Sequence, residues 1–163
     1  MRILVLSLIL ISALSCFAQE SDSYASFHRA YKNKEGVTSL SLPAGLVRLF
    51  IDQQEEQELN RLFKKADRIS FLVSEANQHD LSGAYKRYIS GPVYKEIMVL
   101  NEGPSTLTFS AKEENGIIKE LIMSAQEPGN FSVMCLEGNF SKEDMQHFGK
   151  QIDGGRPLEI LTH

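Results

Sequence analysis

The sequence predicts an α+β fold: a two-layer sandwich with a largely antiparallel sheet, ordered β-α-β-α, then a four-stranded meander and a C-terminal helix. Three observations predict it. The C-terminal half repeats short strand-like runs between turn residues, while the N-terminal half alternates strand-like and helix-periodic segments. The composition, 42% hydrophobic and 23% charged over 163 residues, is that of an ordinary globular chain long enough to bury its own core.

Residues 19–35 are polar and read as a flexible leader, with Phe27 and Tyr31 spaced for one helical turn that docks on the body. A single domain is expected over residues 36–150 and a tail over 151–163. Residues 36–42 alternate apolar with small polar side chains, the period of a half-buried strand, and Pro43 suits the first turn of a helix. Leu46, Leu49 and Phe50 stand at helical spacing, and after a polar stretch Leu59, Leu62, Phe63 and Ala66 resume the stripe, so two helical segments or one bent helix are expected. Residues 69–73 read as a second strand. Asp80 is placed to cap a helix whose apolar face is Leu81, Ala84, Tyr85 and Tyr88, and Gly91-Pro92 ends it.

Residues 94–100, 105–112, 117–125 and 131–137 are strand-like, and the segments between them carry Gly, Pro and Asn, the chemistry of tight turns. Leu107, Phe109 and Ala111 alternate with Thr106, Thr108, Ser110 and Lys112, which predicts one dry sheet face covered by helices and one wet face. Ser141 with Asp144 resembles a capping box, opening a last helix through Met145 and Phe148.

The first 18 residues have the form of a secretory signal peptide: Arg2, then an apolar run far shorter than the ~18 residues of a membrane span, then small residues. Cleavage after Ala18, leaving Gln19 first, is expected. The alternative is lipidation of Cys16, which would tether the protein to a membrane; Ala13 and Leu14 stand in the reverse of the usual order before a lipidated cysteine. The expected location is the periplasm or the exterior, or the outer membrane if Cys16 carries lipid. Cleavage leaves Cys135 as the single cysteine, within an apolar run, where it reads as a small buried hydrophobe.

Gly36-Val37-Thr38-Ser39, the segment 62–69 leading into a strand, and the meander ending in Leu136-Glu137-Gly138-Asn139-Phe140 together resemble the domain of unknown function 4252 family, over roughly Phe27 to Phe148. The resemblance implies a small exported protein of Gram-negative bacteria, often a lipoprotein. It carries over no catalytic residue, ligand or cofactor.

A net charge of -4 argues against a general nucleic-acid binder, whose affinity rests on neutralised phosphates. His28, His79, His147 and His163 show no metal-ligand spacing, and no phosphate loop or nucleophile elbow occurs, so neither metal nor cofactor is expected. Tyr85 and Tyr88 belong to the core-facing stripe, leaving Lys86 and Arg87 solvated. Thr106, Thr108 and Ser110, on the wet face, are the candidate binding surface. The function expected is a non-enzymatic envelope module that binds a protein or a small ligand. One alternative is a carrier of apolar ligands in a pocket lined by Leu62, Phe109 and Phe131; another is a hydrolase-type enzyme whose site would assemble from His79, Asp80 and His147. Partner and oligomeric state are left open.

Overall fold

The computed structural model describes residues 23–47, 57–75 and 80–152. The chain runs α1 (Tyr24–Tyr31), β1 (Val37–Pro43), α2 (Ala44–Val47), α3 (Gln57–Lys65), β2 (Ala66–Glu75), α4 (Leu81–Ile89), β3 (Tyr94–Glu102), β4 (Ser105–Glu114), β5 (Ile117–Glu127), β6 (Asn130–Phe140) and α5 (Lys142–Ile152). The strands form one six-stranded sheet in the order β1-β2-β6-β5-β4-β3, every neighbouring pair antiparallel. The α+β class and the four-stranded meander are as the sequence predicts.

Turn chemistry sets the meander. The β4–β5 hairpin places Asn115 at φ 53 and Gly116 at φ 79, consecutive left-handed residues whose twist matches that of the flanking strands. The β1–β2 pair is joined through α2 and α3. The β2–α4–β3 connection differs in kind, because β3 lies at the far edge of the sheet. Counting antiparallel neighbours from β2 to β3 makes those two strands parallel, and parallel strands need a crossover element on one face. Helix α4 is that element, carried across the face that the sequence predicts to be wet.

The expectation of two layers is therefore corrected: helices cover both faces. On one, Ala44, Leu62, Met145 and Phe148 from α2, α3 and α5 pack on Ile69, Phe109, Leu121 and Leu136. On the other, Tyr24 and Phe27 from α1 and Leu81, Ala84 and Tyr85 from α4 pack on Leu72, Ile122, Val133 and Cys135. Strand alternation separates the two sets, so Leu121 and Ile122, or Leu136 and Cys135, point to opposite sides. The wet-face reading came from β4, whose hydroxyls are small; β5 and β6 supply Ile122, Phe131 and Val133 to the same face, and these need cover. Ser110 is buried and Thr106 and Thr108 are half-buried.

The leader is also corrected. Residues 24–31 form a two-turn helix with Tyr24 fully buried, so the folded body starts before residue 36. Ala66, read with the helical stripe, opens β2 opposite Gly138. A Cβ at Gly138 would come within 2.5 Å of the Lys65 carbonyl oxygen, so the α3–β2 junction requires glycine there. The segment that the sequence reading takes for a signal peptide, with Cys16, Ala18 and Gln19, lies outside the described residues, as do residues 153–163. No described helix is long and apolar enough to cross a membrane.

Candidate functional site

Helix α4 begins where Asp80 accepts the Gly83 N–H at 2.9 Å, the cap that the sequence predicts. Its apolar stripe then aims Leu81, Ala84 and Tyr85 at the sheet and leaves Lys86 and Arg87 exposed. The helix packs against β6, and between it and β3, β4 and β5 lies an open cleft of ≈ 520 Å³. Thr106, Thr108 and Ser110 of β4 and Ser124 of β5 form its floor, side by side because Ser124 pairs with Thr108. Tyr85 and Ile89 form the roof, with Phe131 and Tyr94 at the walls and Lys86, Glu96 and Gln126 adding charge and amide groups. Gln126 is held by the Ser82 hydroxyl at 2.5 Å, which ties α4 to β5.

The Tyr85 side chain is buried at 4% exposure, and its Oη sits beside the Ser110 and Ser124 hydroxyls without a well-formed hydrogen bond among the described residues. Burial pushes its phenol up to about 12, with the Ser124 and Ser110 hydroxyls working in the opposite direction. A protonated phenol beside serine hydroxyls can donate to them or to a ligand acceptor that enters between.

Behind the cleft stands a second polar layer. Glu120, 7% exposed, accepts the Tyr24 N–H at 2.9 Å and the Tyr94 Oη hydrogen at 2.7 Å on the same oxygen. Tyr88 Oη hydrogen-bonds in turn to Tyr94 Oη, and Lys112 Nζ lies 3.7 Å from the other carboxylate oxygen. The Tyr24 Oη donates to the Val133 carbonyl at 3.2 Å. Burial first, then the neighbouring Tyr88 and Glu120, pushes the Tyr94 phenol far above its ordinary value. Cys135 is fully buried in this layer, and burial followed by the Glu120 and Glu137 charges pushes its thiol up. The layer ties α1 and β3 to the sheet.

Sequence reasoning missed Glu120 and Tyr24. Both left a signal: Glu120 shares the parity of Ile122 and Ser124, and Tyr24 stands three residues before Phe27 and seven before Tyr31 on one helical stripe. The candidate binding residues Thr106, Thr108 and Ser110 do come together, under a helix rather than in open solvent. The three residues of the apolar pocket do not: Leu62 and Phe109 lie in the core on one side of the sheet and Phe131 on the other. Asp80 caps α4 and His147 is exposed on α5, across the sheet, because the helices that carry them cover opposite faces. His79 lies outside the described residues. Among the described residues, no three His, Cys, Asp or Glu side chains gather as a metal site would require.

The family model for a domain of unknown function, DUF4252, matches residues 31–148. The chain belongs to that family. The matched segment spans every strand of the sheet and the whole of α4, so the cleft lies entirely within the DUF4252 region, while α1 touches it only at Tyr31. Among solved structures, the crystal structure of PA94, a protein of unknown function from Pseudomonas aeruginosa, is similar over 74% of this chain and 79% of that chain at 13% identity, with a TM-score of 0.32. Comparison with curated proteins gave no match.

Proposed function

We propose that this DUF4252 protein is an exported, non-enzymatic binding module that holds a small polar ligand in the cleft beneath α4. The observation that carries the reading is the buried Tyr85 Oη at the cleft roof, which has no well-formed hydrogen bond among the described residues. A ligand acceptor entering the cleft would complete the hydrogen bonding of this phenol. Thr106, Thr108 and Ser110 offer donors and acceptors from the floor, Phe131 offers an apolar wall, and the volume falls in the range of small-molecule sites. The phenols that line it suit binding rather than nucleophilic attack: Tyr85 and Tyr94 are both held protonated near neutral pH. Export rests on the form of the first 18 residues, and it sets the ligand or partner in the cell envelope.

An NMR titration of the purified protein with monosaccharides, amino acids and nucleosides in turn tests the cleft. One class should shift the amides of Tyr85, Thr106, Thr108 and Ser110, and Thr108→Trp should remove that response. Shifts confined to other surfaces would contradict the reading, and reproducible turnover of a titrant abolished by a single substitution would replace binding with catalysis. For export, the intact mass of protein recovered from its host should begin at Gln19; a mass that retains Met1 would contradict it.

A further inference from the structure

A second cleft, of ≈ 450 Å³, lies on the same face of the sheet at the opposite side of the aromatic cluster, between α1 and the β1-β2-β6 strands. Helix α1 turns Tyr24 and Phe27 into the core, which leaves His28, Arg29 and, just past its end, Lys32 along the cleft wall. From the sheet come Arg68 and the hydroxyls of Ser41 and Ser70, themselves hydrogen-bonded at 2.8 Å, together with Glu137. Three permanent cations thus line one small concavity of a chain whose net charge is -4.

Two buried polar atoms of residues lining this cleft have no well-formed hydrogen bond among the described residues: Glu137 Oε1, and His28 Nε2 on a ring that lies near the Leu40 and Phe71 carbonyls. His28 is 8% exposed, on the cleft wall. The only ion pair of Glu137 among the described residues, to Arg68, is a loose 3.9 Å through its other oxygen. The site therefore combines positive charge with a buried acceptor that wants a donor. Sulfate or chloride answers the first and not the second. An oxyanion that carries its own O–H answers both.

We propose that this cleft is a binding site for a small oxyanion bearing a hydrogen-bond donor, with hydrogen phosphate as the smallest example. Its negative oxygens sit against Arg68 and Lys32, its hydroxyl donates to Glu137 Oε1, and His28 Nε2 makes the remaining hydrogen bond. The site is separate from the cleft beneath α4, so the two readings stand or fall independently.

Calorimetric titration of the purified protein at about pH 8 and constant ionic strength, with sodium phosphate and with sodium sulfate, tests the site. Phosphate should bind saturably and about tenfold or more tighter than sulfate, because sulfate leaves Glu137 Oε1 unpaired. Arg68→Ala should weaken phosphate about tenfold, and Lys32→Ala, at an exposed position, should weaken it in the same direction. Glu137→Gln, which can donate as well as accept, should erase the preference for phosphate, and Thr108→Trp should leave phosphate binding unchanged. Titration with glycerol phosphate separates the sources: tighter binding than inorganic phosphate assigns an ester bearing a hydroxyl, weaker binding assigns the free ion. Absence of saturable phosphate binding, equal affinities for phosphate and sulfate, or unchanged affinity in both cation variants would overturn the proposal.

Discussion

Asp144 shows how one side chain holds two helices in place. It is 1% exposed, receives Lys65 Nζ at 2.6 and 2.8 Å and has Arg61 Nε at 3.4 Å, which ties α3 to α5. It also accepts the Ser141 N–H at 2.8 Å while its own N–H donates to Ser141 Oγ at 3.2 Å, a complete capping box. Half of this arrangement was legible from Ser141 and Asp144 alone, because a cap is local. The Lys65 partner was not, since it is far away in sequence and arrives only through the sheet. Burial raises the Asp144 carboxyl, but Lys65 and Ser141 outweigh it and hold the group below its ordinary value. A depressed carboxyl contributes stability that is present above its unfolded value of about 4 and lost as pH falls through the lower folded one. Melting temperature should accordingly fall on acidification below about pH 4, with a shallower fall in Asp144→Asn. Asp144→Ala should cost about 1–3 kcal/mol in urea unfolding, because it removes the cap and the hydrogen bonds to Lys65, whose half-exposed ammonium then turns to solvent.

Helix α1 is the element whose place was hardest to read. The spacing of Phe27 and Tyr31 was visible, but in a polar stretch nothing local says that Tyr24 will join them and reach Glu120 and Val133. Its docking carries a pH dependence through His28. Burial lowers the His28 pKa, with Lys32 and Arg68 adding to this and the Leu40 and Phe71 carbonyls opposing it. The neutral ring is thus the folded form, and its contribution is present above the unfolded value of about 6.5 and lost as pH falls through the folded one. Amide exchange in residues 24–31, corrected for intrinsic rate, should speed up as pH falls below about 6.5, and His28→Gln should flatten that response. At the other side of the sheet, Gly138→Ala should cost about 1–3 kcal/mol in chemical unfolding, since β6 would be pushed from the Lys65 carbonyl. That glycine was quoted from the sequence only as part of a strand end; its role depends on how closely two distant strands approach.

For the whole molecule, the alternation along β4 correctly separated Phe109 from its hydroxyl neighbours but misjudged what covers each face. Periodicity tells which side chains share a face, and strand order tells whether a helix must cross it. Only the second puts α4 over Thr106, Thr108 and Ser110. The same reasoning makes α1 part of the fold although the family match begins at its last residue. Deleting residues 1–32 should expose Glu120 and Val133 and remove the buried Tyr24 and Phe27 rings, at a cost on the order of 3–6 kcal/mol. Thermal unfolding would then shift down by about 8 °C or more.

The central claim is that the cleft beneath α4 holds a small polar ligand, and native mass spectrometry of the protein recovered from its host tests it most directly. The wild-type chain should carry an added noncovalent mass that is released on denaturation and is missing from Thr108→Trp, whose indole fills the floor. A wild-type chain at its bare mass, or an added mass retained equally by Thr108→Trp, would contradict the claim.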